Sequence, residues 1–108
     1  MKHASMQILS WLAAVAVFLA LSVSAHAQAA EGIYKGKCAA CHGADGTGSA
    51  MGKKMGVRDF HSPDVQKQSD ADLSAAIAKG KNKMPPYEKS LKPEDIQGLV
   101  AYIRTLGK

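Results

Sequence analysis

The sequence of 108 residues has only two cysteines, Cys38 and Cys41, and no strong run of strand-forming residues. A four-coordinate structural zinc site would need two more Cys or His ligands. Apart from His42, the only histidine after residue 27 is His61. A thioredoxin-like dithiol couple usually follows a strand in a βαβ pattern, whereas these cysteines follow a helical pattern. These absences disfavour two interpretations of the cysteine pair, a zinc site and a dithiol redox couple. A structural disulfide is a third interpretation.

The two cysteines belong to the segment Cys38-Ala39-Ala40-Cys41-His42, and Cys-x-x-Cys-His is the attachment sequence for a covalent c-type haem. The cysteines stand three positions apart, so on a helical turn both sulfurs face the same way. They can then form thioether bonds to the two vinyl groups of one porphyrin, which places His42 under the iron. The segment therefore predicts one haem c, bound through Cys38 and Cys41, with His42 as an iron ligand.

The first 27 residues have the three-part layout of a secretory signal peptide. They comprise a short positive end (Met1-Lys2-His3), a run from Ile8 to Val23 that is apolar apart from Ser10 and Ser22, and the small residues of Ser24-Ala25-His26-Ala27. We predict cleavage after Ala27. The alternative is an uncleaved membrane anchor, but the apolar run of sixteen residues falls short of the roughly 20 that span a bilayer.

Export agrees with the cysteine motif, because bacterial haem attachment takes place outside the cytoplasmic membrane on thiols that are kept reduced. We therefore expect a periplasmic protein whose single domain comprises residues 28–108. A chain of this size buries a modest core and commonly needs a staple, which the covalent haem would provide. The domain keeps thirteen of the fourteen Lys and Arg and all nine acidic residues, so its formal charge is +4.

Three helices are predicted from local patterns. An amphipathic pattern runs from Ala29 to Cys41 and includes the apolar Ile33 and Tyr34. A second helix has a capping-box start at Ser69 and ends at Lys79-Gly80. A third opens at Pro93 and carries an apolar stripe that we expect to pack against the first helix: Ile96, Leu99, Val100, Tyr102, Ile103 and Leu106. Residues 51–63 are predicted to be irregular, with Met55, Val57 and Phe60 as candidates for packing on the haem.

The residue opposite His42 on the iron decides between an electron carrier and an open, gas-binding site. Four side chains after residue 27 compete for this position: Met51, Met55, Met84 and His61. We choose Met84, because the prolines at 85 and 86 stiffen its loop and can hold a weak thioether ligand at a fixed distance. The alternative for Met84 is a core-filling role.

Taken together, the chain resembles the class I cytochromes c of the small bacterial, periplasmic, mono-haem type over residues 28–108. The matching pieces, in order, are Tyr34, the segment 38–42, the loop Gly43 to Gly48, the run 83–87 with Met84, and residues 99–103. The resemblance implies an all-α fold of three to four helices around one haem, with the first and last helices crossing. It also implies that Tyr34 and Tyr102 meet at that crossing.

The chain departs from this family at two places. Many relatives have a proline soon after the motif whose carbonyl accepts a hydrogen bond from Nδ1 of the proximal histidine, and here no proline lies between His42 and Pro63. A backbone carbonyl of residues 43–60 is expected to replace it. Lys92 also stands where relatives often carry a Ser or Thr cap before the last helix, which predicts a weaker cap by roughly 1 kcal/mol.

The resemblance implies single-electron transfer between redox partners and no enzymatic activity. We expect a monomer with no nucleic-acid partner and no stable membrane insertion once the signal is removed. Lys79, Lys81, Lys83, Lys89 and Lys92 surround Met84 in the sequence and predict partners with acidic docking surfaces; a merely solvated lysine face is the alternative. A haem sensor or haem-enzyme subunit with a displaceable sixth ligand is the alternative function.

Overall fold

The computed structural model describes the backbone of residues 2–108 and the side chains of residues 6–19 and 25–108. The positive start of the predicted signal (residues 1–3) and Ser24 before its cleavage site lie outside these side chains. The helices are α1 (Lys2–Lys37), α2 (Ala39–His42), α3 (Ala50–Lys54), α4 (Pro63–Gln66), α5 (Asp70–Lys79) and α6 (Pro93–Leu106). Three long helices and three single-turn helices thus make up the regular structure of the described chain, and the all-α prediction is confirmed.

Local capping signals fix the ends of α5 and α6. The Ser69 hydroxyl accepts a hydrogen bond from the Asp72 N–H at 3.0 Å, and Gly80 ends α5 with a positive φ of 75°. At the start of α6 the Asp95 carboxylate accepts from the Lys92 N–H at 3.1 Å. This bond supplies half of a capping box, so the weak cap predicted at Lys92 is partly compensated from inside the helix.

The first and last long helices cross and form the centre of the core. Tyr34 of α1 and Leu99 of α6 are the most completely buried large side chains among the described residues, each 1% exposed. The rings of Tyr34 and Tyr102 lie 5.1 Å apart, tilted by 55°. The crossing implied by the resemblance, with an aromatic of α1 buried against α6, is present.

The segment predicted to be irregular contains two single-turn helices. In α3 the Ser49 hydroxyl caps the helix by accepting from the Gly52 N–H at 2.9 Å. In α4, Pro63 occupies the first helical turn and Val65 is buried. The prediction for residues 51–63 was therefore wrong at both ends, because one turn is too short to produce an apolar period but is long enough to be set by a cap and a proline.

The helix predicted from Ala29 to Cys41 differs from α1 at both ends. At its C-terminal end α1 stops at Lys37, and Cys38 makes a turn before α2 begins. Towards the N-terminus α1 runs through the predicted signal, where alanine is frequent and favours helix. Apolar side chains of this half are exposed, with Trp11 at 75% and Leu9 at 72%, and the first buried side chain among those described is Ala30.

Within the described residues, no helix, α1 included, is both long and apolar enough to cross a bilayer.

Candidate cofactor site

A single cleft of about 250 Å³ brings together the residues that the sequence singled out. Its walls come from the segment 37–42, the loop 55–60, helix α5 and the loop 81–87. Most of the lining is apolar, and the charged residues in it are all cations: Lys37, Arg58, Lys81 and Lys83. No carboxylate is among the lining residues of the described chain. The cleft therefore suits a large apolar group that carries negative charge at its edge.

Cys38 and Cys41 lie on one helical turn at the end of the cleft. The N–H groups of Cys41 and His42 both donate to the Cys38 carbonyl, at 3.2 and 2.9 Å. Both thiols are free and half-buried, and both residues line the cleft. Burial raises the pKa of the Cys38 thiol, with a smaller opposing effect from Lys37.

His42 lines the cleft next to the two thiols. Burial lowers the pKa of its imidazole, which favours the neutral form that binds metals. Its ring stacks on Phe60, with centroids 4.8 Å apart and planes 25° from parallel. Nδ1 is buried and has no hydrogen-bond partner in the described part of the chain. The sequence-based expectation that a carbonyl of residues 43–60 accepts from Nδ1 was therefore wrong in this structure.

Several carbonyls near His42 accept hydrogen bonds from other donors. The His42 carbonyl accepts from the Gly48 N–H at 2.7 Å and the Gly43 carbonyl from the Tyr34 hydroxyl at 2.7 Å. The Ser49 N–H and hydroxyl donate to Cys41 and Ala40 carbonyls at 3.0 and 2.7 Å. These bonds tie the loop that begins at Gly43 back under the attachment segment.

Gly52 also lies close against the attachment segment, a role that no sequence motif indicated. A Cβ placed there would overlap the carbonyl oxygen of Cys41 and press on Val57. The residue is buried inside α3, so the helix can approach the attachment segment only because position 52 has no side chain. The Ser49 cap three residues earlier indicates the start of α3 but not this contact.

Met84 faces the cleft from a tight turn. Lys81 and Met84 exchange two backbone hydrogen bonds of 3.1 and 2.9 Å, and Asn82 at the turn has a positive φ of 55°. Gly80 precedes it with φ 75°, and a Cβ there would stand 2.5 Å from the Met84 carbonyl oxygen. The half-buried Met84 thus sits on a turn that closes against the end of α5.

Tyr87 fastens the far end of the same loop, and the sequence analysis gave it no site role. Its N–H donates to the carbonyls of Ile77 and Ala78 at 3.1 and 3.2 Å, which caps the end of α5. Its hydroxyl donates to the Lys37 carbonyl at 3.4 Å, next to Cys38. Burial, and then the nearby thiols of Cys38 and Cys41, raise the pKa of Tyr87.

The other candidate iron ligands are placed differently. Met55 also lines the cleft, at 39% exposure. Met51 is 59% exposed and His61 pairs with Asp59, their Nδ1 and Oδ1 atoms 2.8 Å apart, and neither lines the cleft. Of the four side chains that the sequence left in competition, the structure brings two to the cleft.

The arrangement fits a covalent haem better than zinc. Among the described residues there is no group of three or more Cys, His, Asp and Glu side chains that could hold a metal ion. Two thiols on one turn, a neutral imidazole, a thioether and an apolar wall match the thioether bonds, the axial positions and the flat macrocycle of haem c. The four cations match the negative charge of its propionates.

Comparison with known proteins agrees with this fit. Residues 25–103 match the family described as cytochrome C oxidase, cbb3-type, subunit III. Cytochrome c6 of Anabaena variabilis is 36% identical over 81 residues, which are 70% of this chain and 84% of that protein. Cytochrome c6 of Bryopsis maxima is 36% identical over 76 residues, 66% of this chain and 81% of that protein.

A solved structure has the same fold. The KustC0563 c-type cytochrome superposes with a TM-score of 0.68 at 32% identity, over 72% of this chain and 96% of that one. The chain therefore belongs to the family that the matched model describes, within the cytochromes c, and is a small class I cytochrome c: a haem-binding electron carrier and not an enzyme.

Proposed function

We propose that this cytochrome carries one haem, attached through Cys38 and Cys41, with His42 and Met84 as the two axial ligands, and that it shuttles single electrons between periplasmic or membrane-bound redox partners. The observation that carries the proposal is the convergence of these four side chains on one apolar cleft. The haem, when bound, supplies a one-electron iron couple. The chain's own contribution is to hold both iron ligands and to keep water from the iron.

The choice of Met84 over Met55 rests on how each is held. Met84 has both backbone hydrogen-bonding groups engaged by Lys81 and is followed by two prolines. A sulfur on such a stiff turn loses little freedom when it binds iron. A closed methionine-ligated site raises the potential and suits an electron carrier rather than a gas sensor.

Replacing each methionine of the cleft by alanine tests the ligand assignment. We expect Met84→Ala to lose the weak far-red absorption band of a methionine-ligated ferric haem and to bind carbon monoxide when reduced. Met55→Ala is the matched control, because it removes the same group from the same cleft, and it should keep the band. A band that survives in Met84→Ala, or carbon monoxide binding by the unchanged protein, would contradict the proposal and favour an open-site sensor.

Attachment through the cysteines has a separate test. A double variant, Cys38→Ala with Cys41→Ala, should lose the haem that otherwise stays on the polypeptide after denaturing electrophoresis. Quantifying haem per chain in the unchanged protein should give one. Haem retained by the double variant would contradict covalent attachment at these sites.

We also propose that residues 1–27 are a cleavable export signal and that residues 28–108 form the mature periplasmic domain. The support is the burial pattern: the described apolar side chains at 6–19 are largely exposed, whereas Ala30 is 2% exposed. Removing the segment would therefore sacrifice little packing. The mass of the protein released from the periplasm should correspond to a chain that begins at Gln28; a full-length protein in the membrane fraction would contradict cleavage.

The docking surface proposed for the partner is the cationic rim of the cleft. Lys81 and Lys83 line it on the Met84 loop, and Lys37 and Arg58 line it from other elements. Lys79 is instead paired with Glu88, at 3.6 Å. Four cations around one opening would attract an acidic partner and raise its association rate.

Charge reversal tests this surface. The double variant Lys81→Glu with Lys83→Glu should slow electron transfer to an acidic redox protein on the order of tenfold at low salt, with the difference shrinking as salt is added. The control, Lys54→Glu with Lys108→Glu, makes the same change in net charge at positions that do not line the cleft. Equal slowing by both pairs would show that only net charge matters.

A further inference from the structure

The imidazole of His42 has an unusual environment for a buried histidine. Its Nδ1 atom is buried and finds no acceptor in the part of the chain that the structure describes. The nearby carbonyls of His42 and Gly43 accept from the Gly48 N–H and the Tyr34 hydroxyl. Among the described residues, no hydrogen bond that involves Nδ1 fixes the plane of the ring.

The contact that does fix the ring plane is aromatic. The Phe60 ring lies 4.8 Å from the imidazole, centroid to centroid, and within 25° of parallel. Stacked aromatic pairs are stabilised beyond the area that they bury. Rotation of the imidazole about the Cβ–Cγ bond of His42 would break the stack. Phe60 therefore restrains the rotation that a hydrogen bond from Nδ1 would otherwise restrain.

Phe60 is itself held by three parts of the fold. Its N–H donates to the Gly46 carbonyl at 2.9 Å, and its carbonyl accepts from Gln66 Nε2 at 2.5 Å. Its side chain is 7% exposed. Gly107 packs so closely that a Cβ there would lie 2.6 Å from the Phe60 carbonyl oxygen.

Gln66 is in turn fixed from the last helix. Arg104 Nη1 donates to the Gln66 carbonyl at 2.9 Å, and its other nitrogens reach Gln68 and Asp70. The guanidinium thus ties the connection between α4 and α5 to α6. A continuous chain of contacts runs from α6 through Gln66 and Phe60 to the imidazole.

We propose that Phe60 is a positioning residue for His42, and that in this chain the plane of the axial imidazole is set by stacking on Phe60, held by Gln66 and Arg104, instead of by a hydrogen bond from Nδ1 to a carbonyl. The inference rests on the proposed ligand role of His42. It adds a specific means by which the fold orients that ligand.

Paramagnetic NMR of the ferric holoprotein reads this orientation directly, because the spread of the haem-methyl resonances depends on the directions of the axial ligands. We expect Phe60→Leu, which keeps an apolar side chain but removes the ring, to change the spacing of these resonances. Phe60→Tyr keeps the ring and should preserve the original spacing. Leu99→Ala is the control for lost stability, because Leu99 is buried but does not line the cleft.

A second variant covers poor folding of Phe60→Leu. Gln66→Ala leaves the Phe60 ring in place but removes the side-chain hydrogen bond to its carbonyl, and it should shift the resonances in the same direction by a smaller amount. Unchanged spacing in Phe60→Leu overturns the proposal. If that variant yields no holoprotein, unchanged spacing in Gln66→Ala overturns it. Failure of the proposed function would look different, since the unchanged protein would then lack a low-spin histidine-ligated ferric spectrum.

Discussion

The attachment segment 38–42, which Gly43 follows, and the Met84 loop 80–87 face the same cleft, but the chain holds them by different means. Carbonyls of the attachment segment and of Gly43 accept hydrogen bonds from residues outside the segment, among them Tyr34, Gly48 and Ser49. The Met84 loop is closed mainly by its own turn and by two N–H groups that cap α5. Its one side-chain bond to the attachment segment's side of the cleft is the 3.4 Å contact from Tyr87 to Lys37.

This difference has a consequence for dynamics. Segments with few buried contacts and many exposed residues open at lower free energy than segments inside the core. Most of the Met84 loop is exposed, including Lys81, Lys83 and both prolines. We therefore expect the methionine side of the site to open first, while the attachment side stays folded.

The largest effect is expected from breaking the attachment side at Gly52. Gly52→Ala would force a Cβ into the Cys41 carbonyl, which is backbone and cannot move away cheaply. We expect a loss of about 3 kcal/mol in unfolding free energy and a lower yield of covalently attached haem. Chemical denaturation and a haem stain measure the two effects.

Gly36→Ala is the matched control for Gly52→Ala, since nothing lies within 4 Å of a Cβ at position 36. Gly36 lies in the last turn of α1, where alanine should be neutral or slightly stabilising. A Gly52→Ala protein as stable as the Gly36→Ala protein would show that α3 can move away from the attachment segment.

A smaller effect is expected from breaking the other side at Gly80. Gly80→Ala places a side chain at φ 75° and 2.5 Å from the Met84 carbonyl oxygen. We expect a cost of about 2 kcal/mol and a weaker far-red band, with haem attachment unimpaired. Absorption spectra and the haem stain on one sample separate these outcomes. Loss of attached haem together with the band would mean that the two sides are not independent.

The smallest effects are expected from replacing one tyrosine on each side of the cleft by phenylalanine. Tyr34→Phe removes a partly buried 2.7 Å bond to the Gly43 carbonyl and should cost about 1–2 kcal/mol. Tyr87→Phe removes an exposed 3.4 Å bond and should cost less than about 0.5 kcal/mol. Denaturant midpoints measure both, and a larger loss for Tyr87→Phe would reverse the assignment of the stronger tether.

The parts of the fold that were predictable from sequence are those with local signals. Ser69 and Gly80 bound α5, and Pro93 opens α6, because caps and proline act on neighbouring residues alone. The apolar stripe of α6 predicted its packing against α1, and the family resemblance added the pairing of Tyr34 with Tyr102. The placement of Met84 at the cleft agreed with its proline-flanked loop.

The parts that were missed depend on contacts between distant residues. Phe60 was expected to pack on the haem, yet nothing in its sequence neighbourhood indicates that it stacks on His42, eighteen positions away. The close approach of α3 to Cys41 depends on the missing side chain of Gly52. A lone glycine between Met51 and Lys53 gives no periodic pattern from which that contact could be read.

The burial pattern along α1 has a further consequence for the residues that precede the core. The described side chains contribute to the core only from Ala30 onwards, so the packing of the core does not depend on the side chains of residues 6–19 and 25–29. Exchanging the residues before position 28 for another sequence should therefore change the free energy of folding of the remaining chain only slightly.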